Sequence, residues 1–320
     1  MYNAPIKEIK FLLKDLFQIE KLFKDTKYES LDEDTLDGIL DEVRKLSEKL
    51  ISPINRDADT KPAFLKDKKV ILPDSFNEAY KSIAEGGWVG ISGDIKYGGL
   101  GLPLIVTTCV NELLSSACLS LALNPLMTQG QIDALESHAN EDIKNIFLPK
   151  LNSGEWSGTM NLTEPQAGSD VGALRTMAFK DNDGTYRITG QKIYISWGDH
   201  SLSSNICHLL LARLPNSPKG TKGISLFLVP KYIPDQNGNI NEVNSINTIS
   251  LEHKMGLHGS PTAVLEYKNA KAWLIGEENR GMMAMFTMMN NARLGVAVQG
   301  LSQSELATQK AIEFAKTRHQ

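Results

Sequence analysis

The sequence has few cysteines, no long uninterrupted apolar run and no strong excess of either charge. Its three cysteines, Cys109, Cys118 and Cys207, show neither CxxC spacing nor a cysteine–histidine ligand pattern, which predicts buried thiols in a reducing compartment. No apolar run approaches the roughly 20 residues of a membrane span, and residues 1–10 lack the apolar core of a signal peptide. These absences favour a cytoplasmic protein with no membrane segment.

The charge balance argues against nucleic acid as a partner. The chain has 34 Lys and Arg against 38 Asp and Glu, a formal net charge of −4. Such a balance gives no broad basic face for nucleic acid. Hydrophobic residues make up 41% and charged residues 22%, as in globular proteins, and 320 residues predict two or three domains of roughly 100–200 residues each.

The hydrophobic periodicity changes twice along the chain. Up to about residue 155, apolar residues recur at three- and four-residue steps, which predicts an all-helical region. Short β-branched runs separated by turn residues follow, and helical spacing returns from Gly281. The predicted strands are Thr176–Lys180, Tyr186–Ser196, Ile206–Arg213, Gly223–Pro230 and Thr262–Tyr267.

The predicted fold class is therefore α+β and multidomain. We expect an N-terminal helical extension at 1–35, a helical domain at 36–155, a β-sandwich or barrel domain at 156–275, and the start of a C-terminal helical bundle at 276–320.

Two segments combine residues suited to ligand binding. The segment 160–170 contains a hydroxyl, a carboxylate, a proline and a Gly-Ser pair, which could cradle a phosphorylated ligand, although a domain-linking loop is the commoner meaning of such a composition. In the strand 191–196, alternation predicts Tyr194 and Ser196 on one face, opposite Ile193 and Ile195. That face could stack on a flat ring or simply face solvent.

Other candidates point less clearly to a site. His200, His253 and His258 lack metal-ligand spacing, so we expect no metal. The methionines from Met282 to Met289 favour a core lining over an acyl-binding wall. Arg293 lies in an apolar helical stretch, where arginines commonly snorkel to the surface but could reach an anion.

A series of short motifs, in order, resembles the flavin-dependent acyl-CoA dehydrogenase family from about residue 40 onward. The segment Leu162-Thr163-Glu164-Pro165-x-Ala167-Gly168-Ser169-Asp170 matches the family signature LTEPxAGSD, and Gly190-Gln191-Lys192-x-Tyr194-Ile195-Ser196 is similar to its GxKxWIT strand. Further matches are Tyr97-Gly98-Gly99-Leu100-Gly101, Lys254-Met255-Gly256 with Ser260 and Thr262, Asn279-Arg280-Gly281-Met282, and Arg293-x-x-x-Ala297. Residues 2–13 look like the N-terminal extension of a long subgroup that includes 3-(methylthio)propanoyl-CoA dehydrogenases.

The resemblance implies an incomplete acyl-CoA dehydrogenase fold that holds FAD and converts an acyl-CoA thioester to the 2-enoyl-CoA, with 3-(methylthio)propanoyl-CoA as one candidate substrate. It implies cofactor contacts from Met160, Asn161, Leu162, Thr163, Gly168, Ser169, Tyr194, Ile195, Ser196 and Arg318, and substrate contacts from Ser169, Asn290 and Arg293. Tyr194 stands where the family usually has Trp, and Asn290 replaces a common Asp. The Arg318 match, to an arginine that reaches the FAD of a neighbouring subunit, implies a homodimer or homotetramer, and the family implies electron-transfer flavoprotein or a similar acceptor.

The resemblance names no catalytic residue. Some relatives carry a catalytic Glu where this chain has Ala292, and in most others the base lies further along, so we expect it beyond Gln320. The helix carrying Arg318 also has no stop signal. We therefore expect an N-terminal fragment, inactive alone, that exposes an apolar face along Met282, Met285 and Met289 and so aggregates or binds FAD poorly.

Two alternatives to a dehydrogenase stay open. An acyl-CoA oxidase would share the fold and pass its electrons to oxygen. A non-catalytic relative would keep the flavin as a binding or DNA-associated module, although its expected basic face is not evident at a net charge of −4.

Overall fold

The first half of the chain is a helical layer. The computed structural model describes residues 2–319. Its helices up to residue 152 are α1 (Ile6–Lys10), α2 (Ile19–Phe23), α3 (Glu33–Leu46), α4 (Ser52–Ile54), α5 (Asp57–Thr60), α6 (Phe76–Glu85), α7 (Leu104–His138) and α8 (Glu141–Asn152). Turns of π-helix at Phe11–Leu16 and Ser47–Ile51 and a 3₁₀ turn at Ile95–Tyr97 join them.

Amphipathic spacing explains the best-defined of these helices. Asp32 caps α3 by accepting a hydrogen bond from the Thr35 N–H, and Leu36, Leu40 and Val43 form its buried stripe. Asn140 caps α8 in the same way, accepting from the Ile143 N–H.

The expectation of an all-helical region before residue 155 is wrong at one place. Strands β1 (Phe64–Lys66) and β2 (Lys69–Ile71) form a hairpin. Asp67 and Lys68, the two turn residues, both have positive φ, which matches the twist of a two-residue hairpin. The hairpin was not predicted, because neither residue is the glycine or asparagine that usually marks such a turn.

The helix α7 is longer than the pattern predicts. The periodicity indicates one helix from about Leu104 to Leu123 and another from about Gln131 to Lys150, but α7 runs unbroken through Pro125 to His138, with one non-helical residue at Cys118. By length and a mean hydropathy of 1.5 it could cross a membrane, contrary to the expectation that no segment would, and 67% of the apolar window is buried inside the molecule. Packing against this chain's own elements accounts for its composition.

The second half of the chain up to residue 275 is a β-barrel with extra strands. Its strands are β3 (Trp156–Asn161), β4 (Met177–Lys180), β5 (Tyr186–Ser196), β6 (Asn205–Arg213), β7 (Ile224–Pro230), β8 (Tyr232–Pro234), β9 (Ile240–Val243), β10 (Ile246–Leu251) and β11 (Thr262–Ile275). The pairings β11–β5, β5–β4, β4–β6, β6–β7 and β7–β11 close a ring, to which β3 adds beside β6 and β10 beside β11. The predicted α+β fold class is confirmed; the domain boundaries stay predictions.

The two faces of β6 separate two cores. Leu210 and Ala212 point into the barrel with Phe227, whereas Leu209 and Leu211 pack with the helical core. This alternation is what an apolar strand buried on both faces requires. The three cysteines are buried free thiols, as predicted, and burial raises the pKa of Cys118 to about 11.

Helix α9 (Gly281–Thr317) follows the barrel as a single continuous helix. The expectation of an exposed face along Met282, Met285 and Met289 is wrong, because Met285 is fully buried and the other two are half-buried. Helix α7 and strand β7 cover that side. The exposed apolar residues of α9 are Met283, Phe286, Leu294, Val296, Leu301, Ile312 and Phe314.

The N-terminal segment connects back to α9. The Asn3 N–H donates to Gln309 Oε1 and Gln309 Nε2 donates to the Asn3 carbonyl, at 3.0 and 2.6 Å. The Ala4 N–H donates to Glu48 Oε1 at 2.9 Å, and Tyr2 is buried beneath. We call residues 2–4 the N-terminal arm; it holds α9 against the first helices.

The first residue of α9, Gly281, packs directly against the backbone of the barrel, and this contact generates a first prediction. A Cβ on Gly281 would lie 2.3 Å from the backbone carbonyl carbon of Ser225, whereas one on Gly300, in the same helix, would meet nothing within 4 Å. We expect Gly281→Ala to lower the free energy of unfolding by about 1–3 kcal/mol, and Gly300→Ala to raise it by about 0.5–1 kcal/mol because alanine favours the helix. Urea unfolding followed by circular dichroism measures both. Equal effects would contradict tight packing at Gly281.

Candidate functional site

A buried ion pair organises the segment from Leu162 to Thr176. Lys192 Nζ, from β5, lies 2.8 Å from Glu164 Oε1 and 2.9 Å from the Leu162 carbonyl oxygen. The two side chains are 0% and 3% exposed. Because a buried charge needs several partners, the number of bonds matters here as much as the pairing.

Glu164 accepts more bonds than any other carboxylate near the segment. Its oxygens accept from the Arg175 N–H at 2.6 Å, from the Thr176 N–H at 3.1 Å and hydroxyl at 2.6 Å, and from Gln166 Nε2 at 2.6 Å. Its own backbone forms a two-way bridge with Ala167. The carboxylate therefore ties both ends of the loop to one point.

The charges of the pair perturb both pKa values. Burial acts to raise the pKa of Glu164, but the Lys192 ammonium and the hydrogen bonds to the carboxylate outweigh it and lower that pKa to about 2. Burial lowers the pKa of Lys192 to about 8, even though Glu164 opposes that shift. Glu164 is therefore firmly anionic near neutral pH.

A β-bulge in β5 corrects the predicted alternation. Ile195 pairs with Ala263 and Lys192 with Leu265, so one extra residue sits on β5 between these pairs. Lys192 and Ile195 are consequently both buried, while Tyr194, at a φ of 59°, is 61% exposed. The Ile193 N–H, freed from the ladder, donates to the Thr163 carbonyl at 2.9 Å.

This bond joins the two predicted flavin segments, and their hydroxyls are free. Within the described residues 2–319, no hydrogen bond occupies the hydroxyls of Thr163, Ser169 or Ser196. Gly168 lies beside Thr163, whose methyl carbon is 3.8 Å from the position a Cβ would take. We call the surface formed by Thr163, Gly168, Ser169, Tyr194 and Ser196 the hydroxyl rim.

Some predicted contact residues have side chains turned away from the rim. Asn161 is fully buried and bonds inward to Thr159 and Tyr267. Ile195 points into the barrel core. Each can therefore offer a ligand only its backbone, which corrects the idea that the side chains of the whole segment face one ligand.

Met160 and Leu162 lie on the helical side. Met160 is half-buried against Leu126, Met127 and Ala292, at the junction of α7 and α9. Leu162 is also half-buried, packed against the helical core.

The predicted contact residues at the C-terminal end of the chain lie in two separate places, with Asn290 and Arg293 together and Arg318 apart from them. Arg293 donates to Asn290 Oδ1 at 3.0 Å and lies over the Phe286 ring, 5.3 Å from its centroid. It directly follows Ala292 and so lies close to Met160. Arg318, the exposed C-cap of α9, is about 37 Å further along the helix axis at 1.5 Å per residue, and does not join the other candidates within this chain.

A histidine holds the loop that leads into β11. His258 Nδ1 lies 2.8 Å from Asp59 Oδ1, and its Nε2 lies 2.8 Å from the Lys254 carbonyl oxygen. Both partners accept hydrogen bonds only, so the ring satisfies both when it is an imidazolium. The bond to Lys254 and the charge of Asp59 accordingly raise the pKa of His258.

Sequence reasoning missed the buried pair and the histidine contact. Glu164 and Lys192 stood inside the recognised motifs. Simple alternation put Lys192 on the same face as Tyr194 and Ser196, so the pattern carried no signal that the lysine is buried. No group of three or more His, Cys, Asp or Glu side chains suited to a metal occurs in residues 2–319.

Comparison with known proteins identifies the family. The acyl-CoA dehydrogenase N-terminal domain matches residues 33–155, and the acyl-CoA dehydrogenase middle domain matches residues 159–270. The chain belongs to the acyl-CoA dehydrogenase family. The hydroxyl rim lies within the residues that match the middle domain.

Individual relatives agree with that membership. The chain is 43% identical over 319 residues to 3-methylmercaptopropionyl-CoA dehydrogenase of Ruegeria pomeroyi, covering 100% of this chain and 54% of the relative. Butyryl-CoA dehydrogenase of Megasphaera elsdenii, a solved structure, has a TM-score of 0.75 at 26% identity, covering 89% of this chain and 70% of that one. An acyl-CoA dehydrogenase from Bacillus anthracis solved with FAD shares the fold, with a TM-score of 0.74 at 23% identity over 90% of this chain and 45% of that one. The chain spans about half the length of the curated relatives it matches.

The buried pair generates a prediction about stability. We expect Lys192→Met to lower the free energy of unfolding by about 3–5 kcal/mol, because it leaves the Glu164 charge buried without its cation. The double variant Glu164→Gln/Lys192→Met should recover part of that loss, since the charge is removed as well. Urea unfolding at pH 7 measures all three proteins. A Lys192→Met loss below that of Lys180→Met, an exposed lysine on β4, would contradict the assignment.

The His258 contact generates a prediction about pH. The pKa of His258 is higher in the folded chain than in the unfolded chain, where it is near 6.5. The protonated histidine therefore stabilises the fold fully at pH values below 6.5, and this stabilisation is lost as the pH rises through the pKa of the folded state. We expect the urea midpoint of the native chain to exceed that of His258→Gln at pH 5.5 and the difference to shrink by pH 8.5. If the difference between the two urea midpoints is the same at both pH values, the charge of His258 does not contribute to stability.

Proposed function

We propose that this chain is the FAD-binding part of an acyl-CoA dehydrogenase, one that converts an acyl-CoA thioester to the 2-enoyl-CoA. One observation carries the proposal: the hydroxyl rim presents an exposed aromatic ring and three hydroxyls that have no partner among residues 2–319, on a backbone braced by Glu164 and Lys192. Free donors and acceptors beside a flat ring suit the edge and face of an isoalloxazine.

The residues of the rim fit FAD by their chemistry. Thr163 and Ser196 supply hydroxyls for the polar edge of the flavin, and Tyr194 supplies a ring for its face. Gly168, which has no side chain to stand between its backbone and a ligand, lets the N–H groups beside it approach an anionic group. Met160, Asn161, Leu162 and Ile195 complete the contact, Asn161 and Ile195 through backbone groups.

FAD, when bound, supplies the redox chemistry by accepting the β-hydrogen as hydride. The residues of this chain position the partners and exclude water. Arg293, held by Asn290 and the Phe286 ring, is placed for an anionic group of the acyl-CoA, with Ser169 as a second contact. The base that removes the α-proton is proposed to lie beyond Gln320.

We propose 3-(methylthio)propanoyl-CoA as the substrate of the complete protein. The support is the 43% identity to the Ruegeria pomeroyi dehydrogenase named for that thioester, together with the N-terminal extension. Short-chain acyl-CoA is the competing substrate, because the matched Megasphaera elsdenii structure is a butyryl-CoA dehydrogenase.

The remaining partners follow from family membership. We propose electron-transfer flavoprotein or a similar acceptor, a homodimer or homotetramer in which Arg318 contacts the FAD of a neighbouring subunit, and a cytoplasmic location. An acyl-CoA oxidase would differ only in passing electrons to oxygen, so hydrogen peroxide release without an added acceptor distinguishes it.

The experiment uses the protein extended beyond Gln320 to the length of its relatives. We expect it to purify yellow, and its flavin absorbance to bleach under anaerobic addition of 3-(methylthio)propanoyl-CoA, faster than with butanoyl-CoA. A colourless protein would overturn the proposed function; preferential bleaching by butanoyl-CoA would overturn the proposed substrate alone.

Matched variants test the hydroxyl rim in the same protein. Removing the hydroxyls by Thr163→Val or Ser196→Ala should weaken FAD binding by roughly tenfold each, the effect of one lost hydrogen bond to a bound polar group. Ser250→Ala, at an exposed serine of β10 in the same sheet, is the control and should bind FAD normally. Flavin fluorescence on titration measures binding; equal affinity in all variants would show that the rim does not hold FAD.

A further inference from the structure

A second polar cleft lies away from the hydroxyl rim, between the β1–β2 hairpin and the barrel. Its volume is about 520 Å³. Residues of β6, β10 and β11 form one side, and the hairpin turn forms the other. Its polar lining residues include Lys68, Lys69, Asp199, His208, Lys231 and Thr248.

The charges of the cleft leave a positive surplus. Four lysines and two carboxylates line it. Lys231 lies 2.6 Å from Asp199, whose second oxygen accepts from the Thr248 hydroxyl at 2.7 Å, and Lys268 lies 3.0 Å from Glu266. Within residues 2–319, Lys68 and Lys69 form no ion pair. Two cations at the rim of the cleft are therefore available to a ligand.

The histidine of the cleft has a defined tautomer. His208 is 1% exposed and its Nδ1 lies 2.6 Å from Thr159 Oγ1. The Thr159 oxygen already accepts from Asn161 Nδ2, whose carbonyl partner Oδ1 accepts from the Tyr267 hydroxyl. Asn161 Nδ2, a donor, also lies 3.5 Å from His208 Nδ1. Because Nδ1 faces this donor, we assign it as the acceptor of the Thr159 hydroxyl hydrogen and place the ring hydrogen on Nε2.

The same surroundings keep that ring neutral. Burial, and then the positive charge of Lys231, lower the pKa of His208 to about 3. Its Nε2 has no hydrogen-bond partner among residues 2–319, although the residue lines the cleft. The Nε2 donor is therefore open to a ligand in the cleft that accepts its hydrogen.

We propose that this cleft binds a phosphate-bearing small molecule, with the phosphate accepting from His208 Nε2–H and pairing with Lys68 and Lys69. Two unpaired cations match a dianion, and a neutral N–H donor adds a directed bond. The side chains of Leu65, Ile246 and Leu265 give the rest of such a molecule an apolar wall. This site does not depend on the proposed flavin chemistry. Thr159 and Asn161 connect its histidine by hydrogen bonds to the segment that precedes Thr163.

The test is calorimetric titration of this chain with inorganic phosphate at low ionic strength. We expect saturable binding that weakens by at least roughly tenfold in Lys68→Ala/Lys69→Ala, since two charge-assisted bonds are lost. Both residues are exposed, so folding should be unaffected. The control Lys66→Ala/Lys219→Ala removes the same charge from exposed lysines outside the cleft and should bind phosphate as the native chain does.

A nuclear magnetic resonance measurement tests the histidine directly. We expect the ring ¹⁵N spectrum to show His208 protonated at Nε2 at pH 7, and its Nε2–H signal to shift on phosphate addition in the native and control chains. Equal phosphate affinity in the two double variants, an unmoved Nε2–H signal, or no saturable binding would each overturn the proposal. Butanoate in place of phosphate is expected to bind more weakly; stronger butanoate binding would reassign the cleft to carboxylates.

Discussion

The contact between Glu164 and Lys192 is the constraint on which the candidate site depends. A carboxylate and an ammonium buried in the barrel wall would destabilise the fold if either lacked partners, and here the surrounding backbone supplies them. The same bonds fix where Leu162, Arg175 and Thr176 lie relative to β5. The positions of the rim residues thus depend on the hydrogen bonds that the buried Glu164–Lys192 pair needs.

The bulge in β5 allows Lys192 to be buried while Tyr194, two residues later, is exposed. Without the extra residue, Lys192 and Tyr194 would share a face of the strand, and the aromatic ring would follow the lysine inward. With it, Lys192 and Ile195 point inward and Tyr194 points outward. Strand β11 continues from the paired region at Thr262 to the contact with β7, so the ring closure of the barrel holds the bulge in register.

Sequence reasoning predicted much of this arrangement, for identifiable reasons. Strand Tyr186–Ser196 was predicted with its observed bounds because β-branched residues and a hairpin signal delimit it. Strand β3 (Trp156–Asn161) was missed because every second residue in it is polar and the segment contains a glycine, a composition typical of a loop. These polar side chains are in fact buried, and Thr159 bonds to the buried His208. The bulge and the unoccupied hydroxyls depend on pairing between distant segments, and no local pattern encodes that. The motif match supplied the rim residues, whereas the inward turn of Asn161 and Ile195 required coordinates.

The N-terminal arm has a consequence for the order in which the molecule is built. Asn3 and Gln309 are bonded across 306 positions of sequence, so residues 2–4 can make this contact only after α9 has been synthesised. The helical layer and the barrel, whose contacts are more local, can form during that interval. The N-terminal arm thus joins two elements that become available for packing at different times.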